Sequence, residues 1–284
     1  MFLPVPARGR LASYWSVVQR PIGIFDSGVG GLSVAAEIRR ALPGEDLLYV
    51  ADTAYCPYGD RPLDEVRERA LAVGRYLEEA GAKLLVTACN TATGAALERL
   101  REVLSIPVIG LEPAVKTGAA VTQNRRLGVM ATAGTLRSER FARLVRTHAR
   151  GVEIVAQPCP GLADLIEEGH LEGERLTAQL EELTRPLRHA GVDTVVLGCT
   201  HYPFVKGPLA RVLGPRVELV DSAPAIARRT EQLLREGGLR NGSGPGSVRV
   251  LTTGDPRKVA PVVCRLWGEE LLVRRVRIPA PAGQ

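Results

Sequence analysis

Lysine, aromatic residues and paired cysteines are all scarce in this 284-residue chain. It has four lysines (Lys83, Lys116, Lys206 and Lys258), 4% aromatic residues, and five cysteines with no two close together. An odd set of separated cysteines argues against a disulfide framework and against the ligand spacing of zinc sites, and it suits a reducing cytoplasm. No lysine stands in a setting fit for a Schiff base, so pyridoxal phosphate is not expected. Neither a metal nor any other cofactor is expected. No apolar run reaches the length of a membrane span. The net charge is +6, but the arginines are scattered and not interleaved with aromatics. Nucleic acid is therefore not expected as a partner, and modest basicity equally suits a small acidic substrate. Residues 1–20 hold Arg8 and Arg10 and then a broken apolar stretch without a small-residue cleavage site. They read as an N-terminal extension rather than a signal peptide.

What is present is alternation. Short apolar runs at 22–25, 47–51, 84–88, 108–111, 127–130, 152–156, 194–198 and 217–220 read as strands. Arg-, Glu-, Leu- and Ala-rich stretches at 63–80, 93–104, 136–148 and 177–189 read as helices. Continuous rather than alternating apolar runs predict parallel sheets covered on both faces. The pattern is also written twice. IGIFDSG at 22–28 aligns with LGVMATA at 127–133, LYVADT at 48–53 with EIVAQP at 153–158, KLLVTACNT at 83–91 with DTVVLGCTH at 193–201, and PVIGLEPA at 107–114 with VELVDSAPA at 217–225. A repeat this long suits a duplicated domain rather than a solenoid. After a Gly/Ser-rich linker at 237–247, one more strand and helix follow, and they must dock on one of the halves. The expected architecture is α/β, with two pseudo-symmetric domains, mostly parallel sheets flanked by helices, and the active site in the cleft between them. The boundaries read as 1–20 for the extension, 21–114 plus 224–284 for the first domain, and 115–223 for the second.

Two cysteines occupy equivalent places in this duplication. Cys89 follows the run at 84–88 and Cys199 the run at 194–198, and each precedes polar residues and a helix-like segment. Ligands of open α/β sheets bind beyond the carboxyl ends of strands. A thiol there is expected near a helix start and exposed N–H groups, which favour thiolate. If the halves face each other, one thiol approaches from each side. That geometry suits inversion at a carbon, one base removing a proton and an acid on the opposite face returning one.

Around these thiols, GIFDSGVGGLSV, ADTAYCPYGD, TACNTAT, GLEPAVK, GVMATAGTLRS and GCTHYP, followed by TTGDP, form an ordered series. The series resembles the glutamate-acting members of the aspartate/glutamate racemase family. That resemblance implies cofactor-independent, two-base interconversion of L- and D-glutamate that supplies D-glutamate for peptidoglycan, in a cytoplasmic protein that forms a homodimer. It implies Cys89 and Cys199 as acid and base, with Asp26, His201 and Glu167 assisting. It places Asp26, Ser27, Tyr58, Gly59, Asn90, Thr91, Thr200 and His201 around the substrate, with Tyr58 and Gly59 contributing backbone.

The residues support parts of this on their own. Asp26 can orient or deprotonate a thiol, or receive the substrate ammonium. Asn90, Thr91 and Thr200 can donate to carboxylates at helix N-termini. Thr132 and Thr135 stand where they too can reach substrate. The glycines of DSGVGG do not spell G-x-G-x-x-G, lack a P-loop lysine, and read as permitting close backbone approach. Glu167 rests on a weaker motif, with Glu168 beside it. Cys56, Cys159 and Cys264 read as structural.

Three alternatives stay open. One is a racemase of aspartate or another acidic amino acid. Another is a cysteine-dependent hydrolase with His201 as base to Cys199, although residues two apart at a strand end seldom face each other. The third is a non-catalytic amino-acid-binding protein.

Overall fold

The computed structural model describes residues 17–242 and 244–279. Most of the expected extension, residues 1–16, lies outside the described residues. The first half runs β1 (Ile22–Asp26), α1 (Leu32–Ala41), β2 (Leu47–Ala51), α2 (Leu63–Glu79), β3 (Leu84–Thr87), α3 (Asn90–Val103) and β4 (Val108–Gly110). The chain then crosses to α4 (Val115–Val121), β5 (Arg126–Ala131), α5 (Ala133–Arg137), α6 (Glu139–His148) and β6 (Glu153–Pro158). It continues through α7 (Leu162–Glu167), α8 (Glu174–Ala190), β7 (Thr194–Leu197), α9 (Lys206–Leu213) and β8 (Glu218–Val220). It returns through α10 (Ala223–Glu236), β9 (Val248–Thr252), α11 (Pro256–Trp267) and β10 (Val273–Arg275).

Two parallel sheets result, in the orders β10-β9-β2-β1-β3-β4 and β6-β5-β7-β8. The order β2-β1-β3-β4 recurs as β6-β5-β7-β8, so the repeat in the text is a repeat in topology. The register adjusts it slightly. Ile22 pairs with Leu47, whereas Leu127 pairs with Ile154, two residues beyond the textual match. An even shift leaves every side chain on its own face.

Both faces of each sheet are covered, which is why the strands do not alternate. In the first, Ile22, Ile24 and Tyr49 pack with Ile38 of α1 and Ile226 of α10. On the other face Phe25, Val50 and Leu85 pack with Leu77 of α2 and Leu100 of α3. In the second, Leu127 and Val129 meet Val115 of α4 and Phe141 of α6, while Met130 and Val195 meet Leu180 and Leu187 of α8. Strands β9 and β10 extend the first sheet beyond β2.

Three details differ from the pattern reading. The helix expected from 93 begins at Asn90, directly after Cys89. The helix expected over 136–148 breaks at Ser138, whose hydroxyl accepts from Phe141 N at 3.1 Å and starts α6 afresh. The short edge strand β10, Val-Arg-Arg, carries two exposed arginines and so has no apolar signature. Among the described residues, no helix is long and apolar enough to cross a membrane.

Candidate active site

The site lies beyond the carboxyl ends of β1, β3, β5 and β7. Asp26 closes β1 and is fully buried. Its Oδ1 accepts from Ser27 N at 2.6 Å and Ser27 Oγ at 3.3 Å. Its Oδ2 accepts from Gly31 N and, across the cleft, from Thr200 Oγ1 at 3.0 Å. Burial raises the Asp26 pKa. His201 and the Thr200 and Ser27 hydrogen bonds pull against that rise, and Glu167 adds to it. Two of the glycines between Asp26 and α1, Gly28 and Gly30, are demanded by the opposite wall. A Cβ at Gly28 would collide with the Glu167 carboxylate, and one at Gly30 with the His201 ring.

Cys89 is the N-cap of α3, and its Sγ accepts from Ala92 N at 3.4 Å. That single bond does not make it a ready thiolate. Burial, then the Asp26 carboxylate, push the Cys89 thiol well above its ordinary 9.0, and the Ala92 and Ser27 N–H groups offset only part of this. The expectation that a helix start favours thiolate at both cysteines is therefore corrected for Cys89: desolvation outweighs the helix terminus.

Cys199 and His201 correct a second expectation. After β7 the chain turns, Tyr202 N bonding back to Cys199 O at 3.2 Å, with His201 in helical conformation. The turn folds two side chains separated by one residue onto each other, with Cys199 Sγ 3.5 Å from His201 Nδ1. His201 Nε2 lies 2.6 Å from Glu167 Oε1, at the end of α7. The same oxygen accepts from Val29 N of the first half at 2.6 Å. Burial lowers the His201 pKa, but Cys199 and Glu167 outweigh it and hold the imidazole well above 6.5. The ring is thus biased toward its protonated form, with a sulfur on one side and a carboxylate on the other.

Both sulfurs border one pocket of about 310 Å³, counting its mouth, which is also lined by Asp26, Ser27, Tyr58, Gly59, Asn90, Thr91, Thr200 and His201. Glu167 stands behind His201 and does not line it. Asn90 is buried, and its Oδ1 has no hydrogen-bond partner. Thr91 Oγ1 lies 3.1 Å from Thr132 Oγ1, which donates to Thr135 Oγ1 at 3.0 Å, so three hydroxyls from two halves cluster at one end. The Tyr58 hydroxyl turns away and donates to Asp52 at 2.5 Å, so Tyr58 contributes wall and backbone rather than its phenol. A Cβ on Gly59 would press on Thr132. Pro57, Ala163 and Gly198 complete the lining. They carry no chemical signature in a sequence and went unnoticed there. So did Val29, which enters through its backbone alone.

Fold and pocket together define a class: a duplicated α/β protein in which each half delivers one thiol to a shared, buried cleft. The Asp/Glu/Hydantoin racemase family model matches residues 22–230, and the chain belongs to that family. It is 47% identical to glutamate racemase of Pseudomonas paraeruginosa over 259 residues, which span 91% of this chain and 98% of that protein. The fold matches the crystal structure of a Bacillus anthracis glutamate racemase isoform with a TM-score of 0.85, at 34% identity over 92% of this chain and 98% of that one. It also matches Escherichia coli glutamate racemase in complex with L-glutamate and the activator UDP-MurNAc-ala, with a TM-score of 0.82, at 33% identity over 92% and 99%.

Proposed function

We propose that this chain interconverts L- and D-glutamate without a cofactor, with Cys89 and Cys199 as the two proton-transferring groups, and so supplies D-glutamate for peptidoglycan. The observation that carries this reading is that equivalent thiols of two halves border one pocket.

One sulfur removes the Cα proton while the other delivers a proton to the opposite face, and the protonation states of the pair exchange. A racemase must therefore begin with one thiolate and one thiol. The raised Cys89 pKa makes Cys89 the thiol of the substrate-free form, and the cationic His201 puts the counter-charge beside Cys199. Carbanion formation places negative charge next to the α-carboxylate, and fixed donors offset it. Ser27, Asn90, Thr91 and Thr200 supply such donors, together with the backbone of Tyr58 and Gly59. The unfilled Asn90 oxygen suits the substrate ammonium. The Thr91–Thr132–Thr135 hydroxyls, at the far end, suit the side-chain carboxylate and would measure its length. Asp26 holds Thr200 and the glycine loop, and Glu167 holds His201. We place the enzyme in the cytoplasm as a homodimer, with domains at 21–114 plus 224–284 and at 115–223.

The Cys199–His201–Glu167 chain also has the outline of a nucleophile, base and orienter, which favours a hydrolase as second reading. That reading leaves Cys89 without a task. Incubation with L-glutamate in D2O without added cofactor separates the two. Decay of the circular dichroism signal with deuterium at Cα is expected, and an unchanged signal with no deuterium uptake would overturn the proposal. Cys89→Ser and Cys199→Ser should each lower kcat by about 10²–10⁴. Wild-type turnover in either would sink the two-thiol assignment. L-Aspartate alongside tests whether the hydroxyl cluster measures chain length.

A further inference from the structure

The segment after the second repeat, including the TTGD stretch at 252–255, has no part in the chemistry above, yet its side chains hold the turn that forms one wall of the pocket. Asp52, just past β2, is fully buried with every carboxylate position filled. Oδ1 accepts from Arg69 Nη2 and Thr253 Oγ1, each at 2.8 Å, and Oδ2 from Arg69 Nε at 2.8 Å and Tyr58 Oη at 2.5 Å. Arg69, itself 1% exposed, spends its remaining nitrogen on Ile278 O at 3.0 Å and Pro279 O at 2.9 Å and lies over the Tyr55 ring. The rest of the TTGD stretch grips the same turn. Thr53 Oγ1 is 2.6 Å from Thr252 Oγ1 and accepts from Gly254 N at 3.2 Å, while Ala54 N donates to Thr253 Oγ1 at 3.1 Å. None of Asp52, Arg69 or Thr253 lines the pocket. All of them converge on the turn that ends in Tyr58 and Gly59, which does.

We infer that Arg69 and Thr253, acting through Asp52, are positioning residues that set the Tyr58–Gly59 wall, and that the C-terminal segment is thereby part of the substrate site. A surface loop able to drift by an ångström presents its N–H groups poorly to a carboxylate. A buried bidentate guanidinium with a third chain segment clamped on it prevents that drift. The extra strands β9 and β10 give Thr253 and the Ile278 carbonyl their fixed place, and among the described residues the equivalent loop of the second half carries no buried guanidinium of this kind. The inference rests on the glutamate reading, because the wall is taken to touch substrate.

The test compares Thr253→Val, Arg69→Lys and the mildest change, Tyr58→Phe, all in the full chain. Two readouts are followed. The first is the split between KM and kcat for glutamate. The second is the rate at which iodoacetamide alkylates Cys89, with Cys199 of the same molecule as internal reference and both read by peptide mass. Tyr58 and Cys89 share one packed cluster, so a loosened wall exposes Cys89 first. The expected result is a KM raised about tenfold by Thr253→Val with kcat nearly kept, and selectively faster Cys89 alkylation in all three variants. A lowered melting temperature with wild-type KM and wild-type Cys89 reactivity in the folded protein would overturn the inference and leave the network purely structural. If the wild-type chain did not act on glutamate, the functional reading would fall. The alkylation ratio, which needs no turnover, would still decide whether the network sets the wall.

Discussion

At the scale of single residues, the site is a set of ionisable groups whose states are fixed by their neighbours. Burial and the Asp26 carboxylate push the Cys89 thiol up, whereas Cys199 faces the His201 ring. Two residues that look alike in the repeat thus have different neighbours. The His201 cation has a thermodynamic signature. A histidine whose pKa rises on folding stabilises the fold fully below its unfolded value and loses that contribution as pH climbs through the folded one. The unfolded value is 6.5 and the folded one lies above it. The stability difference between wild type and His201→Asn, from denaturant melts, should therefore be largest below the unfolded value of 6.5 and shrink as the pH rises above it. A difference that grows with pH would mean the ring is neutral in the fold. Asp26, Ser27, Cys89, Asn90, Thr91, Cys199, Thr200 and His201 could all be picked out in the sequence because strand-end position and residue type together narrow the choice. Asp52 and Arg69 could not, since a buried ion pair between a strand end and a helix has no local pattern.

At the scale of elements, the glycine loop between β1 and α1 is pressed against α7 and the turn after β7. The close approach leaves no room for a methyl group at Gly30, where the His201 ring already sits. Gly30→Ala should therefore displace the imidazole and cut kcat steeply while the protein still folds, because the strain is relieved by moving the His201 side chain rather than the backbone. Gly207 in α9 is the comparison: a Cβ there would meet only the end of Arg211, at 3.9 Å. Gly207→Ala should leave kcat unchanged and stabilise the helix by about 0.5–1 kcal/mol. Equal activity losses at both positions would refute the argument. The strands were readable because parallel strands buried on two faces are unbroken apolar runs. Element ends were less so. The start of α3 at Asn90 and the break at Ser138 depend on capping by Cys89 and Ser138, side chains equally common in loops.

At the scale of the molecule, the two halves hold each other through the site itself. Asp26 reaches Thr200, Val29 reaches Glu167, and Thr91 reaches Thr132. A substrate between the thiols adds contacts to both halves at once. Glutamate at about a hundred times its Kd should thus raise the unfolding free energy by about 2.7 kcal/mol and carry both halves up together in one calorimetric transition. Stabilisation of only one of two resolved transitions would show that the ligand sits in one half alone.

By itself, the sequence determined that this is a doubled α/β chain with a thiol at the same place in each copy, because burial periodicity and internal repetition are one-dimensional properties. The tertiary structure alone decided that burial and Asp26 push the Cys89 thiol up, that Cys199 meets His201, that Glu167 is anchored from the other half, and that the C-terminal segment grips the turn behind the pocket. Desolvation and charge–charge contact depend on distances in space between residues brought together by folding, from two positions apart for Cys199 and His201 to 138 for Val29 and Glu167, and no local pattern records those distances.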